Sequence, residues 1–149
     1  MLPPFEDTGL LPAGVHNATW KEMLARFGTT PRRRRLLSGL KRALNSLRAA
    51  GCLRVYIDGS FVTAKRNPGD FDACWDLDGV HPELLDPVLL TFDSGRATQK
   101  AKYYGELFPA QMSEGVSGLT YLEFFQLNRE TGDPKGIVVL VSGRHKTLE

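Results

Sequence analysis

The sequence predicts an α/β (α+β) fold in which a mixed β-sheet carries helices packed mainly on one face. Apolar residues recur at three- and four-residue spacing over about 31–50, which indicates a long amphipathic helix. Short alternating or β-branched segments at 53–57, 70–75 and 137–141 are typical of strands. Since 149 residues suit one domain of ordinary size, we expect these elements to form a single domain over 1–149.

The N-terminal third divides into an arm and two helices. Residues 1–16 are rich in proline and glycine, which favours an extended arm. Thr19-Trp20-Lys21-Glu22 matches a capping box and predicts a short helix to about Phe27. Pro31 suits the first turn of the long helix, where its missing N–H costs nothing, and Gly51 suits its end.

The rest of the chain alternates between short elements and turns. The strand at 53–57 is broken by Gly59-Ser60, and Asn67-Pro68-Gly69 is a strong turn signal before the strand at 70–75. The remaining pattern predicts one or two helical turns over 61–65, a helix over 81–90, a helix over 95–103, a third strand over 104–109, a helix or a strand over 119–127, and a turn over 131–136.

Composition excludes several classes of protein. Hydrophobic residues make up 42% and charged residues 24% of the chain, as in globular proteins. No apolar run reaches the ~18–20 residues that a membrane span needs, and the N-terminus lacks the pattern of a secretory signal. The two cysteines, Cys52 and Cys74, cannot form a disulfide framework. We therefore expect a cytoplasmic protein with no membrane contact.

Charge is unevenly distributed along the chain. Residues 1–50 carry a local net charge of +6 and residues 51–100 a local net charge of −3. The densest basic run is Arg32, Arg33, Arg34 and Arg35. At a helix start this run opposes the macrodipole, which costs a few tenths of a kcal/mol per charge unless an anion relieves it. Nucleic acid or an acidic partner protein would do so, and a solvated helix face is the alternative.

The stretch that carries chemistry is Gly59-Ser60, a nine-residue gap, and Asp70-Phe71-Asp72-Ala73. Asp70 and Asp72 are two residues apart on a strand, so they project from the same face and could share Mg²⁺ or Mn²⁺. Gly59 permits close backbone approach, and Ser60 with its neighbouring amides could hold phosphates. Together these groups suit attack on the α-phosphate of a nucleoside triphosphate. The alternative is an ordinary solvated turn in which Asp is common.

Over about residues 31–110, this pattern resembles the DNA polymerase β-like nucleotidyltransferase superfamily. The resemblance implies two Mg²⁺ ions and transfer of a nucleoside monophosphate to a hydroxyl of RNA, protein or a small molecule. It also implies a third carboxylate on the next strand, for which Glu106 is our choice and Asp93, Glu114 and Glu123 are alternatives. Similarity to minimal nucleotidyltransferases of toxin–antitoxin or defence operons implies a partner toxin or antitoxin chain, and an oligomer is possible.

Other polar residues near the motif have open roles. Asp58 stands where the superfamily prefers an apolar residue, and it could be a metal ligand, a general base or a cap. Asp76 and Asp78 could bind metal or lie in an exposed strand end. Lys65 could neutralise a bound triphosphate or simply be surface charge. If the third carboxylate is absent, the alternative function is an inactive nucleotidyltransferase-fold subunit that binds a partner protein or nucleic acid.

Overall fold

The computed structural model describes residues 1–142 and confirms the α/β class: a five-stranded mixed sheet carries four helices. The strands are β1 (Gly14–Ala18), β2 (Arg54–Asp58), β3 (Phe71–Trp75), β4 (Gly105–Pro109) and β5 (Gly136–Val141). The helices are α1 (Trp20–Phe27), α2 (Pro31–Ala49), α3 (Ala97–Tyr103) and the single turn α4 (Tyr121–Phe124).

The sheet has the order β1-β5-β2-β3-β4. Strand β2 runs antiparallel to both β5 and β3, whereas β1 is parallel to β5 and β4 is parallel to β3. The register pairs Asp58 with Asp72 across β2 and β3, and pairs Asp72 with Glu106 across β3 and β4. Because directly paired residues share a face of the sheet, three acidic side chains form one row across three strands.

The long helix α2 packs on the opposite face of the sheet from that row. Its apolar side is fully buried in the main core together with Val55, Ile57, Phe71 and Ala73. Side chains alternate along a strand, so Asp72 on β3 points to the other face, as predicted from its spacing to Phe71 and Ala73. That second face is covered in part by a smaller apolar cluster that includes Phe108 and Phe125.

Two segments differ from the sequence prediction. A continuous helix over 81–90 is wrong, because the segment forms two separate 3-10 turns, Pro82–Leu84 and Pro87–Leu90. The Asp86 side chain accepts a hydrogen bond from the Val88 amide, and Pro87 begins the second turn. The last residues of the extended arm enter β1, an edge strand that the sequence did not indicate.

The arm before β1 is tied to the first helix. Arg26 donates hydrogen bonds to the carbonyl oxygens of Pro3 at 2.7 Å and Leu2 at 3.0 Å. The arm also crosses the loop after β2, where the Ala64 amide donates to the Gly9 carbonyl at 2.9 Å. Within residues 1–142, none of the helices is long and apolar enough to cross a bilayer.

Candidate nucleotide and metal site

The row of acidic side chains, Asp58, Asp72 and Glu106, lies at one end of the sheet's central strands, and Asp70 precedes Asp72 on the same face. We call these four side chains the carboxylate row. Burial, followed by the charges of Glu106, Asp70 and Asp58, raises the pKa of Asp72 to about 7. Burial also raises the pKa of Asp58, against the opposing effect of Lys135. A buried row of like charges favours the binding of a cation.

The backbone at Gly59 packs closely against the Asp72 carboxylate of this row. Its φ of +79° lies in a region that L side chains rarely adopt. A Cβ built on Gly59 would lie 2.6 Å from Asp72 Oδ2. The backbone at Gly59 therefore approaches the Asp72 carboxylate of the same motif closely, and the predicted approach of a phosphate to Gly59 stays a prediction.

Ser60 begins the 3-10 turn Ser60–Val62, directly after Gly59. Both residues line a cleft of about 700 Å³. The polar groups of this cleft that bear on its chemistry are Asp58, Ser60, Asp72, Arg129 and Lys135. The cleft thus brings a carboxylate pair, the Gly-Ser turn and two basic side chains together, which is a suitable environment for a metal-bound polyphosphate.

Arg129 and Lys135 were not predicted as site residues from the sequence. Lys135 Nζ lies 3.0 Å from Asp58 Oδ1, and both side chains are largely buried. Lys135 immediately precedes β5, which pairs with β2 and so carries the lysine to the end of β2. Its position in a turn before a strand was visible in the sequence, but the strand pairing that places it at Asp58 was not.

The other end of the row is neutralised by α3 and the turn before it. Lys100 Nζ lies 3.5 Å from Asp70 Oδ2 and 3.3 Å from Glu106 Oε1, and Arg96 Nε lies 3.5 Å from the same Glu106 oxygen. Partial burial works against the Lys100 ammonium, but its bonds and charge interactions with Glu106 and Asp70 outweigh it and raise the Lys100 pKa. These two basic residues were also not predicted as part of the site.

The alternative third carboxylates are engaged elsewhere. Asp93 accepts hydrogen bonds from the Thr98 amide and hydroxyl, and Glu114 accepts one from the Ser117 amide. Glu123 completes a capping box at the start of α4. Of the four candidates, Glu106 is the one that strand register places beside Asp72.

Asp76 lies at the opposite end of β3 from Asp70. It is 8% exposed, accepts hydrogen bonds from Gln111 Nε2 and the Asp78 amide, and lies 3.6 Å from Arg54. These contacts bind the ends of β2 and β3 to the following loop. The structure therefore does not bring Asp76 or Asp78 to the carboxylate row.

The arginine run divides into one buried and three exposed residues. Arg33 is only 2% exposed and donates to the carbonyl oxygens of Phe61, Thr63 and Lys65. The prediction that Arg33 binds a partner is wrong, because its guanidinium is used inside the fold to hold the 61–65 loop. Arg32, Arg34 and Arg35 are exposed.

The three exposed arginines contact nearby groups. Arg32 donates to the Pro68 and Gly69 carbonyls in the turn before β3, and Arg34 donates to the Gly28 carbonyl at 3.1 Å. The Arg35 guanidinium lies 4.4 Å from the centre of the Tyr104 ring. These contacts leave much of the three side chains on the surface.

Lys65 is not brought to the cleft that holds Gly59 and Ser60. It lines a separate depression of about 380 Å³, together with Arg26 and Arg66. Lys65 is exposed, and it does not line the cleft that holds Asp58, Ser60 and Asp72. The structure therefore gives the predicted role of Lys65 in triphosphate binding no support.

The carboxylate row offers donors of the type that the expected metal prefers. All four members of the carboxylate row offer hard oxygen donors, the ligands that Mg²⁺ and Mn²⁺ prefer. Burial, followed by the charges of the neighbouring carboxylates, raises the pKa of Asp72. Within residues 1–142, no three His, Cys, Asp or Glu side chains are already arranged to hold an ion. The donors fit the metal chemically, and side-chain movement is needed to bring them around it.

Comparison with known proteins places the chain in one family. Residues 3–141 match the family described as "Family of unknown function (DUF6932)", and because the match spans nearly the whole chain, the protein belongs to this family. No curated protein and no solved structure matches the chain.

Proposed function

We propose that this member of the family is a metal-dependent nucleotidyltransferase, which moves a nucleoside monophosphate from a nucleoside triphosphate to a hydroxyl group. One observation carries the proposal. Asp72 is paired in register with Asp58 and Glu106, and it lies against Gly59 of the Gly-Ser turn. Residues far apart in the sequence thus lie side by side, and this juxtaposition supports the proposal.

The proposed roles follow from position. Asp70, Asp72 and Glu106 would hold Mg²⁺ or Mn²⁺, with Asp58 as a further buried carboxylate beside them. The ion would lower the pKa of the attacking hydroxyl and stabilise the charge of the pyrophosphate leaving group. Ser60 and the backbone amides of its turn would bind phosphate oxygens.

The basic side chains of the cleft have a role in the same proposal. Arg129 and Lys135 line the cleft together with Ser60, and they would attract the anionic triphosphate. Lys135 already pairs with Asp58, so a bound phosphate would share this ammonium with a buried carboxylate. These two residues take the role in triphosphate binding that the sequence predicted for Lys65.

The acceptor is proposed to be RNA or protein. A depression of about 230 Å³ beside Asp70 is lined by Arg32, Arg35, Lys100 and Tyr104. Its positive charge and its contact with Asp70 suit an anionic acceptor that reaches the carboxylate row from this side. A partner toxin or antitoxin chain would dock on the same exposed arginines.

The two buried cysteines, Cys52 and Cys74, support the proposed cytoplasmic location.

Transfer of label from α-phosphate-labelled triphosphates tests the proposal. The full chain is incubated with each triphosphate, Mg²⁺ and a cell lysate, and labelled RNA and protein are separated. We expect labelling by the wild type, a loss of at least about 100-fold in Asp70→Ala/Asp72→Ala, and no loss in the control Asp93→Ala. Equal labelling by the wild type and the double variant would refute the proposal.

A second candidate function is an inactive fold that binds a partner. It is favoured by one observation: Lys100 already neutralises Asp70 and Glu106, two of the three proposed metal ligands. In that case the exposed arginines would be the functional surface. Salt-dependent RNA or protein binding, without label transfer by either the wild type or the variants, would support this candidate.

A further inference from the structure

Lys100 occupies a particular place in the carboxylate row. It reaches from α3 to the first residue of the Asp-x-Asp motif, Asp70, and to Glu106 on the neighbouring strand, with both oxygens within 3.5 Å of its ammonium. The Lys100 ammonium thus neutralises two carboxylates and holds them together, as a divalent cation does when two carboxylates share it. Arg96 adds a second positive charge at Glu106.

Within the described part of the chain, three of the four carboxylates in the row form ion pairs with basic side chains, and Asp72 does not. Asp70 and Glu106 pair with Lys100 and Arg96, and Asp58 pairs with Lys135. Among the ion pairs of residues 1–142, none includes Asp72, although this side chain lies at the centre of the row. Asp72 and the residues of these ion pairs, four carboxylates and three basic side chains, carry one net negative charge, located at Asp72. Arg129 also lines the cleft, and its charge lowers the pKa of Asp72 against the larger effects of burial and the neighbouring carboxylates, but it forms no ion pair with Asp72.

One divalent ion at Asp72 would change that net charge to +1, which a bound triphosphate then offsets. Two divalent ions would raise it to +3, and the second would have to displace the Lys100 ammonium from Asp70 and Glu106. Like charges a few ångströms apart repel by about 1 kcal/mol or more per unit pair even in water. The charge balance therefore favours a single ion.

We propose that Lys100 is the built-in second cation of the carboxylate row, so that the site takes one Mg²⁺ or Mn²⁺ ion, centred on Asp72, rather than two. This inference rests on the metal-dependent function proposed above. Lys100 acts as a positioning residue in this arrangement: it holds Asp70 and Glu106 in place and leaves Asp72 as the strongest remaining ligand.

Counting bound Mn²⁺ tests the inference without measuring activity. Free Mn²⁺ is followed by electron paramagnetic resonance as it is titrated into the full chain. We expect one ion per wild-type chain. In Lys100→Met, which keeps the length of the side chain and removes its charge, we expect two ions, or one ion bound about tenfold more tightly.

Two further variants serve as controls. Lys102→Met removes a charge from the same helix, but Lys102 pairs with Asp86 rather than with the row. This variant should therefore bind the same number of Mn²⁺ ions per chain as the wild type. Lys100→Arg keeps the charge and should also bind one ion. Circular dichroism establishes that each variant is folded.

The outcomes separate this inference from the proposed function. Two ions on the wild-type chain would overturn the role of Lys100 and leave metal-dependent transfer supported. One ion on both the wild type and Lys100→Met, with equal affinity, would also overturn it. Absence of Mn²⁺ binding by every variant would refute both proposals. Because the wild-type count alone can contradict the inference, it remains testable if Lys100→Met does not fold.

Discussion

Asp72 and Glu106 are direct neighbours on the parallel strands β3 and β4, although 33 residues separate them along the chain. Asp58 is paired with Asp72 from the other side, so Asp72 is flanked by a carboxyl group on each adjacent strand. Burial and these neighbouring charges raise its pKa to about 7. An arrangement of this kind costs stability unless a cation binds, and such costs are typical of functional sites.

Replacing the central carboxylate should stabilise the metal-free protein. Asp72→Asn keeps the shape of the side chain and removes a buried negative charge from the row. We expect the free energy of unfolding at pH 8 to rise by about 1–2 kcal/mol, which is roughly 3–8 °C in melting temperature. Thermal denaturation in the presence of a chelator measures this. The exposed control Glu6→Gln should change the melting temperature very little, and a lower melting temperature for Asp72→Asn would contradict the prediction.

The stability of the metal-free wild type should fall as pH rises from about 4 to about 7. Asp72 has a pKa of about 7 in the folded chain, against 3.8 as its ordinary value. Between these values the folded state binds more protons than the unfolded state, so the free energy of unfolding decreases with rising pH. Chemical denaturation across this range measures the slope. Asp72→Asn should show a smaller slope, and equal slopes would assign the titration to other groups.

Divalent cations should restore the stability that the metal-free protein loses as pH rises. Mg²⁺ competes with the proton for Asp72, so it should raise the melting temperature clearly at pH 8 and much less at pH 5. The comparison is made at constant ionic strength, with NaCl in place of MgCl₂ as the control. A shift of the same size at both pH values would indicate nonspecific binding elsewhere.

Gly59 should tolerate no side chain. In Gly59→Ala the Cβ would lie 2.6 Å from Asp72 Oδ2, and the backbone would be held at φ +79°. We expect a loss of about 1–3 kcal/mol in stability and weaker Mn²⁺ binding, because the Asp72 carboxylate must move. The matched control is Gly69→Ala in the turn before β3, where the Cβ meets nothing within 4 Å. Equal effects of the two substitutions, measured by thermal denaturation and Mn²⁺ titration, would argue against the contact.

Local patterns in the sequence predicted the parts of the site that are close together along the chain. Strand alternation placed Asp70 and Asp72 on one face, and the Gly-Ser turn followed from the break after β2. Glu106 was one of four candidates, because strand register depends on long-range pairing that no local pattern contains. Lys135 was missed for the same reason, because the pairing of β5 with β2 brings it to Asp58. Lys100 lies only six residues before Glu106, but its contact with Asp70 depends on the long-range pairing of β4 with β3.

Residue type alone did not predict which arginines are buried or where the 81–90 helix is interrupted. The run from Arg32 to Arg35 was interpreted as one surface, but helical geometry turns one of its four side chains inward. Arg33 points to the 61–65 loop and meets three backbone carbonyls there. In the segment 81–90, the helical pattern was interrupted because Asp86 and Pro87 begin a new turn. A local residue preference was stronger than the apolar spacing in this case.

Replacing Arg33 should therefore destabilise the protein much more than replacing Arg35. Arg33→Ala leaves the carbonyl oxygens of Phe61, Thr63 and Lys65 without their donor, so we expect a loss of about 2–4 kcal/mol in stability. The loop it holds begins next to Ser60, and phosphate binding in the cleft should weaken as well. Arg35→Ala should cost less than about 1 kcal/mol, since Arg35 is exposed and contributes a cation–π contact with the Tyr104 ring.

Binding measurements separate the two arginines further. If RNA or an acidic partner docks on the exposed arginines, Arg35→Ala should weaken binding and reduce its dependence on salt, at nearly unchanged stability. Arg33→Ala should weaken the binding of RNA or a partner protein only as far as it unfolds the chain, so the two variants are compared below the melting temperature of both. Loss of binding in a folded Arg33→Ala protein, with Arg35→Ala unaffected, would contradict the division between a buried and an exposed side of the run. Because the guanidinium of Arg33 is inside the fold, we expect its loss to be seen in denaturation and the loss of Arg35 in the binding curve.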